Sequence, residues 1–261
     1  MQKKRRKSQI VAYLLLLICI IAFFLGAYLI WKEFKKEQSI VELEKETIEG
    51  YTKEIPVDPS ETETPTTESS VFQIDWNGLQ STNPDVIAWI QFENPSRINY
   101  PIVQTTNNQF YLSHDWRGYY QFAGSIFLNK RNNPNFTDAN SVIYGHRMIG
   151  GSMFGSLHSY ASQNFMDQNP YFYIYTPDGK KRTYECFAYS EVLDGSSVYE
   201  SRFESINDRL AYFETVKNQA ITQREIPLSE FDTTITLSTC TTYDYYRRMI
   251  LEAKLIKIEK Q

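Results

Sequence analysis

Residues 10–31 form an almost unbroken apolar and aromatic run without a single charge, long enough to cross the ~30 Å hydrocarbon core of a bilayer as a helix. The run predicts one membrane-spanning helix. A secretory signal peptide has a shorter apolar core and a small-residue cleavage site, whereas this run continues into Trp31-Lys32-Glu33 without such a site. Lys3, Lys4, Arg5, Arg6 and Lys7 precede it, and a basic cluster of this kind holds the flanking segment, residues 1–9, in the cytoplasm. Everything after residue 31 is then expected outside the cell, which makes the chain a single-pass protein of the cell membrane.

The net charge of −4 conceals an uneven distribution: a basic N-terminus, an acidic stretch from 37 to 70, and a nearly neutral remainder. Away from the membrane flank there is no basic stripe interleaved with aromatics, so the electrostatic footprint of a nucleic-acid-binding protein is missing. Residues 32–70 are rich in Glu, Thr, Ser and Pro, as in Pro59-Ser60-Glu61-Thr62-Glu63-Thr64-Pro65. Such a segment buries too little apolar surface to offset its ordering entropy. Beyond a short helix around 39–48, it reads as an extended stalk that holds the rest of the chain away from the bilayer. Three cysteines do not make a disulfide framework, even in a compartment that permits one.

From residue 71 to 261, about 190 residues carry dense aromatics and regular turn punctuation, a size that suits one domain with one core. Strand-like runs fall at 86–92, 100–104, 124–128, 141–144, 171–175, 183–192, 233–239 and 249–258. The count predicts a mainly β barrel or sandwich. Pro177-Asp178-Gly179 predicts a hairpin between its flanking runs, with Pro presetting φ and Gly supplying a positive one. Helical pieces are expected at 74–80, 152–162 and 201–219. In the last, Phe203, Leu210, Phe213 and Val216 form the apolar stripe, and Arg202, Asp208, Arg209 and Lys217 take polar positions.

Thr236-Leu237-Ser238-Thr239-Cys240 places a thiol at the end of a β-branched strand, with Arg248 eight residues on. The other thiols have ordinary settings, Cys19 in the apolar run and Cys186 inside a strand. A thiol of ordinary pKa is only slightly ionised near neutrality, so a cysteine nucleophile needs an imidazole or cation beside it. Among His114, His146 and His158, His146 is the candidate general acid and base. It ends the apolar strand Val142-Ile143-Tyr144-Gly145-His146, where Gly145 lets other backbone approach closely. His158 reads as a half-buried helix residue and His114 as a structural partner of Asp115. Attack on an amide carbonyl puts charge on oxygen, which a guanidinium can stabilise. Arg247 and Arg248 both qualify, and strand alternation sends only one of them into the site.

Taken together, this cysteine strand, the following arginine and the strand-ending histidine resemble a sortase, a transpeptidase of Gram-positive surfaces, over residues 74–258. Several stretches are similar to class B: Asn83-Pro84-Asp85-Val86-Ile87-Ala88-Trp89-Ile90, Tyr100-Pro101-Ile102-Val103-Gln104, Gly124-Ser125-Ile126-Phe127-Leu128, and Tyr144-Gly145-His146 leading to Gly151-Ser152-Met153-Phe154-Gly155. So are the helix at 201–219 ahead of the cysteine strand and an arginine directly before the last apolar strand, which selects Arg248.

The resemblance implies an eight-stranded sortase-type barrel with appended helices, spanning 71–261 and needing no metal or cofactor. It implies that Cys240 attacks the carbonyl after Thr in a sorting signal of the type Asn-Pro-x-Thr followed by Asn or Gly. The acyl-enzyme is then resolved by an amine, from peptidoglycan in anchoring enzymes or from a pilin lysine in pilus-building ones. Partners would be surface proteins bearing that signal. Substrate contacts are expected at Ser196, Tyr199 and Ser238. Asp244, between the cysteine and the arginine, either orients the imidazole or is a solvated turn carboxylate. A papain-like protease has its Cys before its His, the reverse of this order. A rival of another class is a non-catalytic surface binding module with an inert thiol at a strand end.

Overall fold

The computed structural model describes residues 2–56, 70–241 and 246–261, with side chains described for 13–55, 71–241 and 246–261. Helix α1 (Gln2–Tyr51) contains the apolar run. From Tyr13 onward it is long and apolar enough to cross a membrane, and its most apolar window is not buried. The chain divides into two compact units, residues 1–42 and 43–261.

The second unit begins at Leu43. The last turns of α1 carry side chains that the surrounding acidic composition masks. The Trp116 indole Nε1–H donates to Thr47 Oγ1 at 3.0 Å, the Tyr51 ring stands edge-on to Trp116 at 5.3 Å, and Ile48 packs on the same core cluster. Strand β1 (Thr52–Pro56) pairs antiparallel with β2 (Ser70–Ile74). Of the expected stalk, 57–69 lie outside the described residues.

After α2 (Trp76–Thr82) come β3 (Val86–Phe92), β4 (Asn99–Val103), β5 (Ile126–Leu128), β6 (Asn140–Tyr144), α3 (Gln163–Gln168), β7 (Tyr171–Thr176), β8 (Lys180–Leu193), α4 (Ile206–Asn218), β9 (Ala220–Gln223), β10 (Thr234–Cys240) and β11 (Arg247–Lys260). Eight strands run in the order β11-β10-β6-β5-β4-β3-β7-β8, and pairing of β8 with β11 closes them into a barrel, leaving β9 as an addition to β8. These eight are the runs expected from the sequence. The β7–β8 hairpin turns through Gly179 at φ 74°.

Along β11, Ile250 packs against Val198, Tyr212, Phe213 and Val216, so α4 and the 3-10 turn Ser197–Tyr199 cover one face of the sheet. Alternation sends Ile235, Leu237 and Leu251, all fully buried, to the barrel interior. Helix α4 departs from its expected stripe. Leu210 is exposed, whereas Arg209 is 2% exposed. Ser205 caps the helix N-terminus by accepting from the Asp208 amide, and the buried face becomes Arg209, Tyr212, Phe213 and Val216. The Arg209 guanidinium donates to Ala139 O, Asp232 O and Thr234 Oγ1, each at 2.9 Å, and lies against the rings of Phe203, Tyr212 and Phe213. The 152–162 piece is a 3-10 helix, Gly155–Ala161, because Ser162 opens α3 by accepting from the Phe165 amide rather than continuing a helix.

Candidate active site

Cys240 is the last residue of β10, free and half-buried. On one side β10 pairs antiparallel with β11 in the register Cys240↔Arg248. On the other it runs parallel to β6, with Ser238 beside Tyr144. The Gly145 amide donates to Ser238 O at 3.1 Å, extending that ladder by one bond. His146 follows directly, so Cys240, His146 and Arg248 stand at neighbouring strand ends on one end of the barrel.

The His146 ring is fixed from a third segment. Its Nε2 lies 2.7 Å from the carbonyl oxygen of Leu112, at the end of the 3-10 turn Phe110–Leu112. A carbonyl only accepts, so Nε2 carries the hydrogen, and in the neutral ring Nδ1 keeps the lone pair. The His146 carbonyl accepts from the Phe154 amide at 2.9 Å. Gly145 has a different reason from the one expected. A Cβ there would stand 2.5 Å from Ile126 Cδ1 and 2.7 Å from Phe154 Cδ2, so packed side chains, rather than backbone, require glycine.

Directly opposed residues of an antiparallel pair leave the sheet on the same face. Arg248 shares the face of Cys240, and Arg247 leaves on the other, where its Nη1 donates to Glu191 Oε1 at 2.9 Å. Arg248 Nη2 donates to Asp194 Oδ2 and Nη1 to Arg247 O, both at 3.0 Å. Asp194 was invisible in the sequence, 54 residues before the arginine it holds. Only the β8–β11 register, in which neighbouring Leu193 lies opposite Arg247, brings it there.

Ser238 precedes Cys240 by two and shares its face. The Tyr199 hydroxyl lies 2.9 Å from Ser238 Oγ, and the Tyr199 ring stacks near Tyr144 at 6.1 Å. Burial holds both phenols above their usual range, so they act as neutral hydroxyls. Ser196 opens the Tyr199 turn without a side-chain capping bond. Asp244 lies outside the described residues.

The remaining candidates are engaged by other partners. His114 Nδ1 is 2.8 Å from Phe110 O, while Asp115 holds Arg117 instead of the imidazole. His158 Nε2 accepts from Arg147 Nε at 3.0 Å, and burial together with that cation pushes its pKa down to about 4. Burial pushes the Cys186 thiol up to about 12, which keeps it inert. Among the described residues no group of three or more His, Cys, Asp or Glu side chains could hold a metal ion.

A barrel closed in this order, with cysteine and arginine on its last two strands and histidine just past the end of the neighbouring one, is the setting in which the comparisons fall. The sortase domain family model matches residues 94–256, and the chain belongs to the sortase family of transpeptidases. The sortase B of Listeria monocytogenes is 36% identical over 180 residues, covering 68% of this chain and 72% of that protein. The solved structure of Clostridium perfringens sortase B superposes with a TM-score of 0.65 at 33% identity, over 69% of this chain and 99% of that one. A Staphylococcus aureus sortase B–substrate complex gives 0.65 at 26% identity, over 69% and 84%. Within the family, the chain is a class B sortase.

Proposed function

We propose that this chain is a membrane-anchored cysteine transpeptidase that cleaves an Asn-Pro-x-Thr-Asn/Gly type signal after Thr and transfers the surface protein to a cell-wall amine. The observation that carries the reading is the register that sets Cys240 opposite Arg248, with His146 two residues past the end of the neighbouring strand β6. Cys240 attacks the Thr carbonyl and His146 takes the thiol proton. The Arg248 guanidinium stabilises the oxyanion. Collapse of the tetrahedral intermediate expels the amine, which leaves with the proton from His146, and a thioester remains. The acceptor amine then gives its proton to His146 as it attacks the thioester, and the Cys240 thiolate departs. Ser196, Tyr199 and Ser238 line the approach of the signal peptide, a role supported by the Tyr199–Ser238 hydrogen bond next to the thiol.

The apolar part of α1 supports anchoring in the cell membrane, and Lys3 to Lys7 favour a cytoplasmic N-terminus with the barrel outside. Protease accessibility of the barrel on intact protoplasts tests that topology, and protection of the barrel would reverse it.

The central test is mass spectrometry of the enzyme with a peptide library scoring Asn-Pro-x-Thr against Leu-Pro-x-Thr. The expected result is a covalent adduct on Cys240, formed after Thr with the Asn-Pro series and discharged by peptidoglycan-type amines. Slow, non-saturating reaction of Cys240 with a vinyl sulfone, and no adduct with any peptide, would instead describe an inert thiol. Discharge by a pilin lysine domain alone would move the acceptor to pilin.

A further inference from the structure

The face of β10 that ends in Cys240 also carries Thr234, Thr236 and Ser238, by alternation along the strand. Beside it on β6, the same face carries Asn140, with Thr234↔Asn140 in register. Asn140 is fully buried, and the arrangement of its amide is specific. Oδ1 lies 3.2 Å from Thr234 Oγ1, which can donate to it, and 3.1 Å from Thr236 Oγ1, whose single hydrogen goes to Glu252 Oε1 at 2.8 Å. Nδ2 lies 2.9 Å from Thr236 Oγ1, 3.0 Å from the carbonyl of Glu200 and 3.3 Å from that of Val198. Carbonyls only accept, so the NH2 end must face the turn and the oxygen must face the threonines.

The two carbonyls that the amide reaches flank a single residue, Tyr199. Val198 is fully buried under α4, but apolar burial is non-directional and sets only how deep the turn sits. Hydrogen bonds to the carbonyls of the residues on either side of Tyr199 are directional and set how its side chain leaves the turn. That side chain reaches Ser238 Oγ, two residues from the thiol. Asn140 thus connects the two strands of the site with the turn that overhangs it, without touching Cys240, His146 or Arg248 in any described contact.

We propose that Asn140 is a positioning residue for substrate recognition: its buried amide holds the carbonyls of Val198 and Glu200, the neighbours of Tyr199, and so aims the Tyr199 hydroxyl at the signal-peptide groove. The proposal rests on the reading of Tyr199 as a substrate contact. Asn140→Asp replaces the donor with an acceptor facing two carbonyl oxygens, and Asn140→Ser removes the reach without burying a charge.

The experiment uses the full-length chain in detergent with the best signal peptide from the library. It measures KM, kcat, the rate of Cys240 alkylation by a methanethiosulfonate, and thermal unfolding, for each Asn140 variant alone and combined with Tyr199→Ala. A lost directional contact to substrate corresponds to about a tenfold rise in KM, and Cys240 alkylation should stay within about twofold because the thiol's own surroundings are intact. In the Tyr199→Ala background the Asn140 substitutions should add less than about twofold, since residues acting through one contact are non-additive. An undiminished Asn140 effect in that background overturns the proposal. So does failure of both Asn140 variants to fold, which would make the residue a core element. Tyr199→Ala with wild-type KM overturns the substrate-contact reading itself, an outcome separate from the other two.

Discussion

Cys240 and Arg248 stand directly opposite each other across the β10–β11 pair, while Arg247 faces the other way and bonds to Glu191. If the guanidinium stabilises the oxyanion, Arg248→Ala should lower turnover by ~10²–10³-fold, the cost of removing one such donor, with the protein still folded. Arg247→Ala should remain near wild type. Arg248→Lys should rescue poorly, because an ammonium lacks the planar fork. Steady-state transpeptidation kinetics on the three variants decide the matter, and a dead Arg247→Ala beside an active Arg248→Ala would transfer the role.

Asp194 holds the Arg248 guanidinium at 3.0 Å, but its side chain is 60% exposed. An ion pair this open contributes only ~0–1 kcal/mol to folding, so Asp194→Ala should shift the melting temperature little. Its effect should appear in kcat, through a guanidinium that no longer rests in one orientation. A large stability loss with unchanged kcat would make the pair structural.

His146 is held by the Leu112 carbonyl with Nδ1 left as the acceptor. His146→Ala should lose ~10²–10⁴-fold in rate, the usual contribution of general acid–base work. His114→Ala and His158→Ala should retain turnover and lose stability, since each ring serves a local bond. Single-turnover acylation measured by mass spectrometry separates these outcomes, and a His158→Ala variant as slow as His146→Ala would reopen the assignment.

The eight barrel strands were legible because each is a short β-branched or aromatic run between turn residues, and the β7–β8 hairpin announced itself through Pro177 and Gly179. What joins distant strands was not. Parity alone left Arg247 and Arg248 equivalent; the class B resemblance selected Arg248, and the register of β10 with β11 sets it opposite Cys240. Asp194 has no local signal at all, since its partner comes from the closing β8–β11 pair. Arg209 was assigned to solvent because charge normally goes there; three carbonyl and hydroxyl acceptors and three aromatic rings, supplied by other segments, reverse that. The contacts of Thr47, Ile48 and Tyr51 with the core were not legible because these residues sit in an acidic stretch whose average composition hides them.

The N-terminal boundary of the folded domain is testable by truncation. A fragment beginning at residue 43 keeps Thr47 and Tyr51 against Trp116 and the β1–β2 pair. One beginning at 71 leaves the Trp116 indole N–H without its threonine partner and exposes the ring. The shorter fragment should unfold cooperatively but at a lower temperature, with a lost buried hydrogen bond alone costing ~1–3 kcal/mol. Identical melting curves for the two would support a folded domain that starts at 71.

Glu252 is fully buried on β11, where Tyr212 and Thr236 hydroxyls each donate to it at 2.8 Å and Arg209 is the nearby cation. Burial outweighs these and pushes its pKa up to about 8 from an ordinary 4.5. Between those two values the folded chain holds a proton that the unfolded chain has released, so Glu252 makes stability fall as pH rises through that window and level off above about 8. Below pH 4.5 both states are protonated and the penalty vanishes. Glu252→Gln keeps the shape and removes the titration, so the variant should lack this downward slope and gain on wild type steadily between pH 5 and 8. Denaturant midpoints of both proteins across pH 5–9 measure it. Parallel profiles would show that Glu252 does not titrate in this range, and a wild type that gains on the variant as pH rises would mean that the carboxylate is held ionised by Arg209 instead.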